Sequence, residues 1–196
     1  ALPKGKEARE EIGWQDMLRR QSFWLFFLWA ILLSAAGLSI INISAGYAGT
    51  FVGGNLTQAA AIAGVISIAN GAGRVLAGQL FDSKGCKVTM YTASVVYLAA
   101  AAALAGADVS HSQPVLLTAF VLTGLAYGAC PPTGSAFAAS FYGSRNYGMN
   151  FSIVNLNLIG ASTLGPMFAN GTPMMAFIII AILAVIGVVI TTAIRR

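Results

Sequence analysis

Residues 174–194 read MMAFIIIAILAVIGVVITTAI, a run with no charge, no proline and no alternation of polar with apolar positions. At about 1.5 Å per residue a helix of this length crosses a hydrocarbon core of ~30 Å. A transmembrane barrel strand would be about half as long and would alternate apolar with polar residues. Working outward from that run, no residue is charged between Arg20 and Arg74, Lys87 and Asp108, Asp108 and Arg145, or Arg145 and Arg195. Cut at their Gly, Pro, Asn and Ser clusters, these silent stretches yield six spans: 23–46, 57–80, 88–107, 114–138, 147–169 and 174–194. Composition agrees, with 57% hydrophobic and 9% charged residues among 196, against about 25% charged in a soluble domain. Mean hydropathy is +0.77. A soluble enzyme, a disordered tail, a disulfide scaffold and a nucleic-acid binder are all excluded. The expected fold is an all-α integral membrane protein.

The basic residues orient it. Lys4, Lys6, Arg9, Arg19 and Arg20 precede the first span, and Lys84 and Lys87 follow the second. Arg145 lies between the fourth and fifth, and Arg195 and Arg196 follow the sixth. The opposite links, 47–56, 108–113 and 170–173, contain no Lys or Arg. Basic loops stay on the cytoplasmic side, so both termini are expected in the cytoplasm of a cell-membrane protein. Residues 1–22 read as a cytoplasmic lead-in whose Ile12, Trp14 and Leu18 suit the headgroup layer, and 195–196 as a short tail. The opening ALPKGKEAREE lacks an initiator Met and reads as the interior of a longer chain. Cys86 and Cys130 have no C-x-x-C partner or neighbouring His, so neither metal nor disulfide is expected. No cofactor is implied. His111, beside Asp108, Ser110 and Ser112, reads as a solvated loop residue.

Polarity is uneven among the spans. The third and sixth hold little beyond hydroxyls near their ends. The second contains Ser67, Asn70, Arg74 and Gln79, the fourth Tyr127 and Pro131–Pro132, and the fifth Asn150, Ser152, Asn155 and Asn157. Polar side chains in a membrane helix face protein or a water-filled cavity, so the third and sixth spans are expected to face lipid. Two triplets, each with its last helix outermost, match a 3+3 inverted repeat. Gly71, Gly73 and Gly78 in the second span and Gly124 and Gly128 in the fourth suit close helix approach, whether static or sliding.

Arg74 is the one charge inside a span. It lies eight residues before Asp82, hence ~12 Å along the helix, where a charge costs roughly 2.5–3.5 kcal/mol on the mildest scale. Ser67, Asn70, Arg74 and Gly78 form one stripe. Either Arg74 docks an anion with Asn70 as a polar companion, or it snorkels and pins a neighbour. In the fifth span Asn150 and Asn157 share a face, while Ser152 and Asn155 point elsewhere. Solute contact and interhelical hydrogen bonding both remain open for them.

After Arg74 the chain runs Gly78-Gln-Leu-Phe-Asp82-Ser-Lys84-Gly85-Cys-Lys87. This resembles the G-x-L-x-D-[RK]-x-G-[RK] loop signature of the major facilitator superfamily. It departs at Ser83, where a basic residue is usual. The resemblance implies that Gly78, Asp82, Gly85 and Lys87 belong to a gating latch; a solvated turn is the plainer alternative. Three further stretches resemble oxalate:formate antiporter-type transporters: DMLRRQSFWLFFLWAILLSAAGLSI, Asn70-Gly-Ala-Gly-Arg74, and Tyr127-Gly128-Ala-Cys-Pro-Pro132. So do Asn146-Tyr-Gly148 and Leu164-Gly-Pro166. The likeness implies the C-terminal six helices of a twelve-helix carrier, with a missing N-terminal half as partner. Related monocarboxylate carriers place an Asp where this chain has Asn70, so a proton-switched Asp–Arg pair is absent. The oxalate carrier's lysine has no counterpart, because 146–169 holds no basic residue.

The expected function is therefore half of a secondary transporter of a small organic anion, a monocarboxylate such as formate, lactate or pyruvate ahead of oxalate, working by alternating access. Substrate contacts are assigned to Arg74, Asn70, Tyr127, Asn150 and Asn157. A carrier of another small solute with a structural Arg74 is the alternative, and a six-helix channel a distant one. An intramembrane enzyme is not expected: Thr133-Gly-Ser135-Ala lacks the closing Gly of a serine-protease turn, and no H-E-x-x-H occurs.

Overall fold

A computed structural model describes residues 11–194. Within them lie eight helices and no strand: α1 (Trp14–Leu18), α2 (Gln21–Phe51), α3 (Leu56–Lys84), α4 (Cys86–Ser110), α5 (Gln113–Tyr142), α6 (Tyr147–Asn155), α7 (Asn157–Ala169) and α8 (Pro173–Ala193). Six spans are long and apolar enough to cross a membrane, α6 and α7 together forming the fifth. Most helices run past the expected spans, taking in polar end residues such as Asp82, Lys84 and Asp108.

The links are short and locally encoded. Asn55 caps α3 by accepting the Gln58 N–H at 3.1 Å, after Gly53 and Gly54 turn the chain at φ +60° and +80°. Thr172 accepts the Met175 N–H at 3.4 Å and is followed by Pro173 at the first helical position. Gly85, at φ +82°, is the whole link between α3 and α4. His111 is exposed, in the left-handed region at φ 48°.

The packing is that of two interleaved triplets. α3 packs chiefly on α5, and α7 chiefly on α2; α4 also packs on α5, and α8 on α2; α4 and α8 pack on each other. Exchanging α2 with α5, α3 with α6–α7 and α4 with α8 reproduces this pattern, the signature of an inverted repeat. Glycines set both main crossings. A Cβ on Gly124 would lie 2.5 Å from the Ile66 carbonyl oxygen, and one on Gly73 or Gly128 would meet the backbone of Leu125 or Asn70. In the α2–α7 crossing a Cβ on Gly165 would lie 2.7 Å from the Leu38 Cβ. Phe26 and Phe137 stack at 4.0 Å between the two central helices, and the Trp29 indole donates to Ser94 at 3.2 Å. Many hydroxyls turn back onto their own helix, as Thr123 does to Ala119 at 2.9 Å.

The exposed faces of α4 and α8 are almost wholly apolar, with Val95 on α4 and Ile178, Ile182, Val185 and Val189 on α8. They suit lipid. Yet α3 and the fifth span bury less of themselves than these two. What they leave open is mixed: Ser67, Arg74 and Gln79 stand among Ile68, Val75 and Leu76 on α3, and Ser152, Asn155, Ser162 and Thr163 among Met149, Ile159 and Met167 on α6–α7. Lipid cannot satisfy the polar groups among them. The fifth span also departs from the expected single helix, breaking at Leu156, where the Asn157 amide donates to the Val154 carbonyl at 2.5 Å.

Candidate functional site

Arg74 stands on the open face of α3, one turn after Asn70, and its Nε donates to Asn70 Oδ1 at 3.1 Å. Among the described residues the one ion pair is Arg19–Asp16, so no carboxylate of these residues neutralises Arg74. The α3–α5 crossing fixes where this cation sits. Because Gly128 has no side chain, the Asn70 backbone lies directly against α5, which brings Arg74 within electrostatic reach of Tyr127.

Tyr127 is half-buried and occupies space that Gly37 leaves on α2, where a Cβ would be 2.5 Å from the Tyr127 ring. Pro131 and Pro132 lie inside α5 just after it. Neither has an N–H, so the carbonyls four residues earlier, on Tyr127 and Gly128, lose their helical donors. Tyr127 and Pro131 line a cavity of about 20 Å³ together with Ser34, Cys130, Asn155 and Asn157. That volume holds about one water and no carboxylate. A larger cavity of about 140 Å³ lies among α3, α4 and α5, lined by Leu76, Leu80, Val96, Leu125 and other mostly apolar residues. An anion would find no charge there.

Four of the five residues expected to touch solute thus fall in one neighbourhood: Arg74 with Asn70, Tyr127 beside them, and Asn157 across the small cavity from Tyr127. Asn150 does not join them. It is fully buried, and its amide donates to the Ile12 carbonyl at 2.9 Å, at the end of the bundle that carries α1. Asn150 and Asn157 are the inward pair of the fifth span, while Ser152 and Asn155 stand exposed. Sequence reasoning passed over Gly37 and Ser34, and left the facing of Asn155 open. Only the run Ser34-Ala-Ala-Gly37 in α2, small residues in an otherwise bulky helix, could have signalled the first two.

The loop residues sit apart from this group. Asp82 and Lys87 are exposed, among the described residues nothing beyond the local helix backbone lies within 4 Å of a Cβ built on Gly78, and Gly85 takes its positive φ between two helices with no intervening residue. Among the described residues no group of His, Cys, Asp and Glu could hold a metal.

Six apolar spans in interleaved triplets, with an unneutralised arginine on the open face of α3 and polar groups on that of α6–α7, define a multi-pass membrane protein. The family model of the Major Facilitator Superfamily matches residues 1–166, and the chain belongs to that superfamily. Its proteins are membrane transporters, and the bilayer and a small solute are its partners. A search of curated proteins found no match.

Proposed function

We propose that the chain is the C-terminal half of a secondary transporter of the oxalate:formate antiporter-like type, carrying a small monocarboxylate by alternating access. The carrying observation is Arg74: a guanidinium near mid-helix, oriented by Asn70, with no carboxylate of the described residues to neutralise it. A guanidinium offers a carboxylate two parallel N–H donors, and Nη1 and Nη2 supply that pair while Nε is bound to Asn70. Tyr127 adds a phenol beside the docked anion, and Asn157 closes the far side of the neighbourhood. Among the described residues no other Lys or Arg lies away from the span ends, which favours one carboxylate over two. The polar groups on the open faces of α3 and α6–α7 support a partner half that covers them, and the basic links support cytoplasmic termini in a cell membrane.

The test is protection of the full-length protein against thermal unfolding by a panel of formate, lactate, pyruvate, oxalate and neutral solutes. Protection by monocarboxylates that is lost in Arg74→Ala, in a protein that still purifies folded, upholds the reading. Equal protection of wild type and Arg74→Ala leaves Arg74 a structural residue and overturns it.

A further inference from the structure

The segment ahead of α2 is fastened to the turn between α5 and α6. The Glu11 carboxylate accepts the Arg145 backbone N–H at 2.7 Å and the Ser144 hydroxyl at 3.4 Å. Ile12 is held on both sides: its N–H donates to the Tyr142 carbonyl at 3.0 Å, and its carbonyl accepts from Asn150 at 2.9 Å. Ile12 and Met17 are buried, the latter completely. The Ser22 and Tyr142 hydroxyls, 3.1 Å apart, continue the line of contacts to the start of α2. The Arg145 N–H, with Ser144, holds the Glu11 carboxyl below its usual range.

What this fastening grips is a short helix between two weak points. α6 has nine residues, of which only Asn150 and Val154 are buried. It begins after Gly143, at φ +85°, and ends at the break beside Leu156. Hinges form at such element ends. One of the two inward side chains of α6 is therefore spent on the lead-in. The Asn150 Oδ1 is buried with no hydrogen-bond partner, so the closed arrangement is not fully satisfied, as suits a contact that opens.

We propose that Glu11–Ile12 is a strap that holds α6 in place, and that α6 swings about Leu156–Asn157 when the strap lets go. α6 carries Ser152 and Asn155 on its open face, so its position sets where those groups stand relative to Tyr127 and Asn157. The strap is a conformational device independent of the solute, and its test needs none.

The experiment is hydrogen exchange, read by mass spectrometry, on the full-length protein in nanodiscs. Glu11→Gln keeps the shape but weakens the charge-assisted bonds, and because Glu11 is exposed it removes no core packing. Amides in 147–155 should exchange about tenfold faster, with 157–169 unchanged, as expected of local opening. Glu11→Asp should fall between the two. A disulfide between Glu11→Cys and Arg145→Cys should slow exchange in α6 below that of its reduced form. Unchanged exchange in α6 of Glu11→Gln overturns the strap. So does equal acceleration through α7 and α5, which marks a general loss of stability.

Discussion

Gly124→Ala tests the packing that positions Arg74. The new Cβ would lie 2.5 Å from the Ile66 carbonyl oxygen, 2.6 Å from the Ala69 Cβ and 3.1 Å from the Asn70 nitrogen. Ordinary contact begins at 3.4 Å, so α3 must retreat by 3.4 minus 2.5, about 0.9 Å, on backbone that cannot rotate away. Overpacking of this kind costs about 1–3 kcal/mol, against a gain of roughly 0.5–1 kcal/mol from replacing a helical glycine. The net result is a less stable protein. For a chain of this size each kcal/mol lowers the unfolding midpoint by about 2–4 °C. Because Asn70 moves with α3, solute protection should weaken as well. Gly64→Ala is the control: it lies on α3, the other helix of the crossing, with nothing within 4 Å of its Cβ, so only the helix gain remains and the midpoint should rise. The assay is thermal unfolding of purified protein with and without solute. A Gly124→Ala protein as stable as wild type, or a Gly64→Ala protein as damaged as Gly124→Ala, would refute the crossing as described.

Arg74→Lys should restore little of the binding lost in Arg74→Ala, since an ammonium presents a point charge where the guanidinium presents a planar pair; Asn70→Ala should weaken protection less than either, and the reverse order would show that Asn70 is the principal contact. Gly85→Val places a β-branched residue at φ +82°, a strain of order 1–3 kcal/mol; together with Asp82→Asn it should slow transport more than it lowers the unfolding midpoint, and normal rates in both would remove the latch. Single cysteines at Gly54 and Gly171, in a background lacking Cys86 and Cys130, should react from outside intact cells with an impermeant thiol reagent. Reaction of both only after permeabilisation would invert the proposed orientation.

The spans were legible because lipid leaves little freedom: stretches without charge as long as 147–169 and 174–194 have few alternatives to helix. Faces were half legible. Periodicity paired Asn150 with Asn157 and Ser152 with Asn155, but only packing on neighbouring helices decides which pair turns inward. The break at Leu156 left no trace, since no Gly or Pro stands there and the Asn157 amide closes it by bonding back to Val154. The strap was illegible for a different reason. Its contacts join positions 133 and 134 residues apart, Glu11 to Ser144 and to Arg145, and neither end carries a local pattern. Arg74 was visible as an anomaly of charge, and its tie to Asn70 follows from helical spacing alone.

The interleaving of the triplets has a consequence for how the protein is made. Synthesis delivers α2, α3 and α4 before α5 and α7, yet the main partner of α3 is α5 and that of α2 is α7. A nascent chain that has emerged only to Ser110 holds Arg74 and Asn70 on a helix whose supporting surface has not been translated. The first triplet must wait in the bilayer, loosely associated, until Gly124 and Gly128 arrive and admit α3 against α5. Maturation is thus gated by the fourth span, and ribosome-bound intermediates shorter than it are the ones that membrane quality control would find exposed.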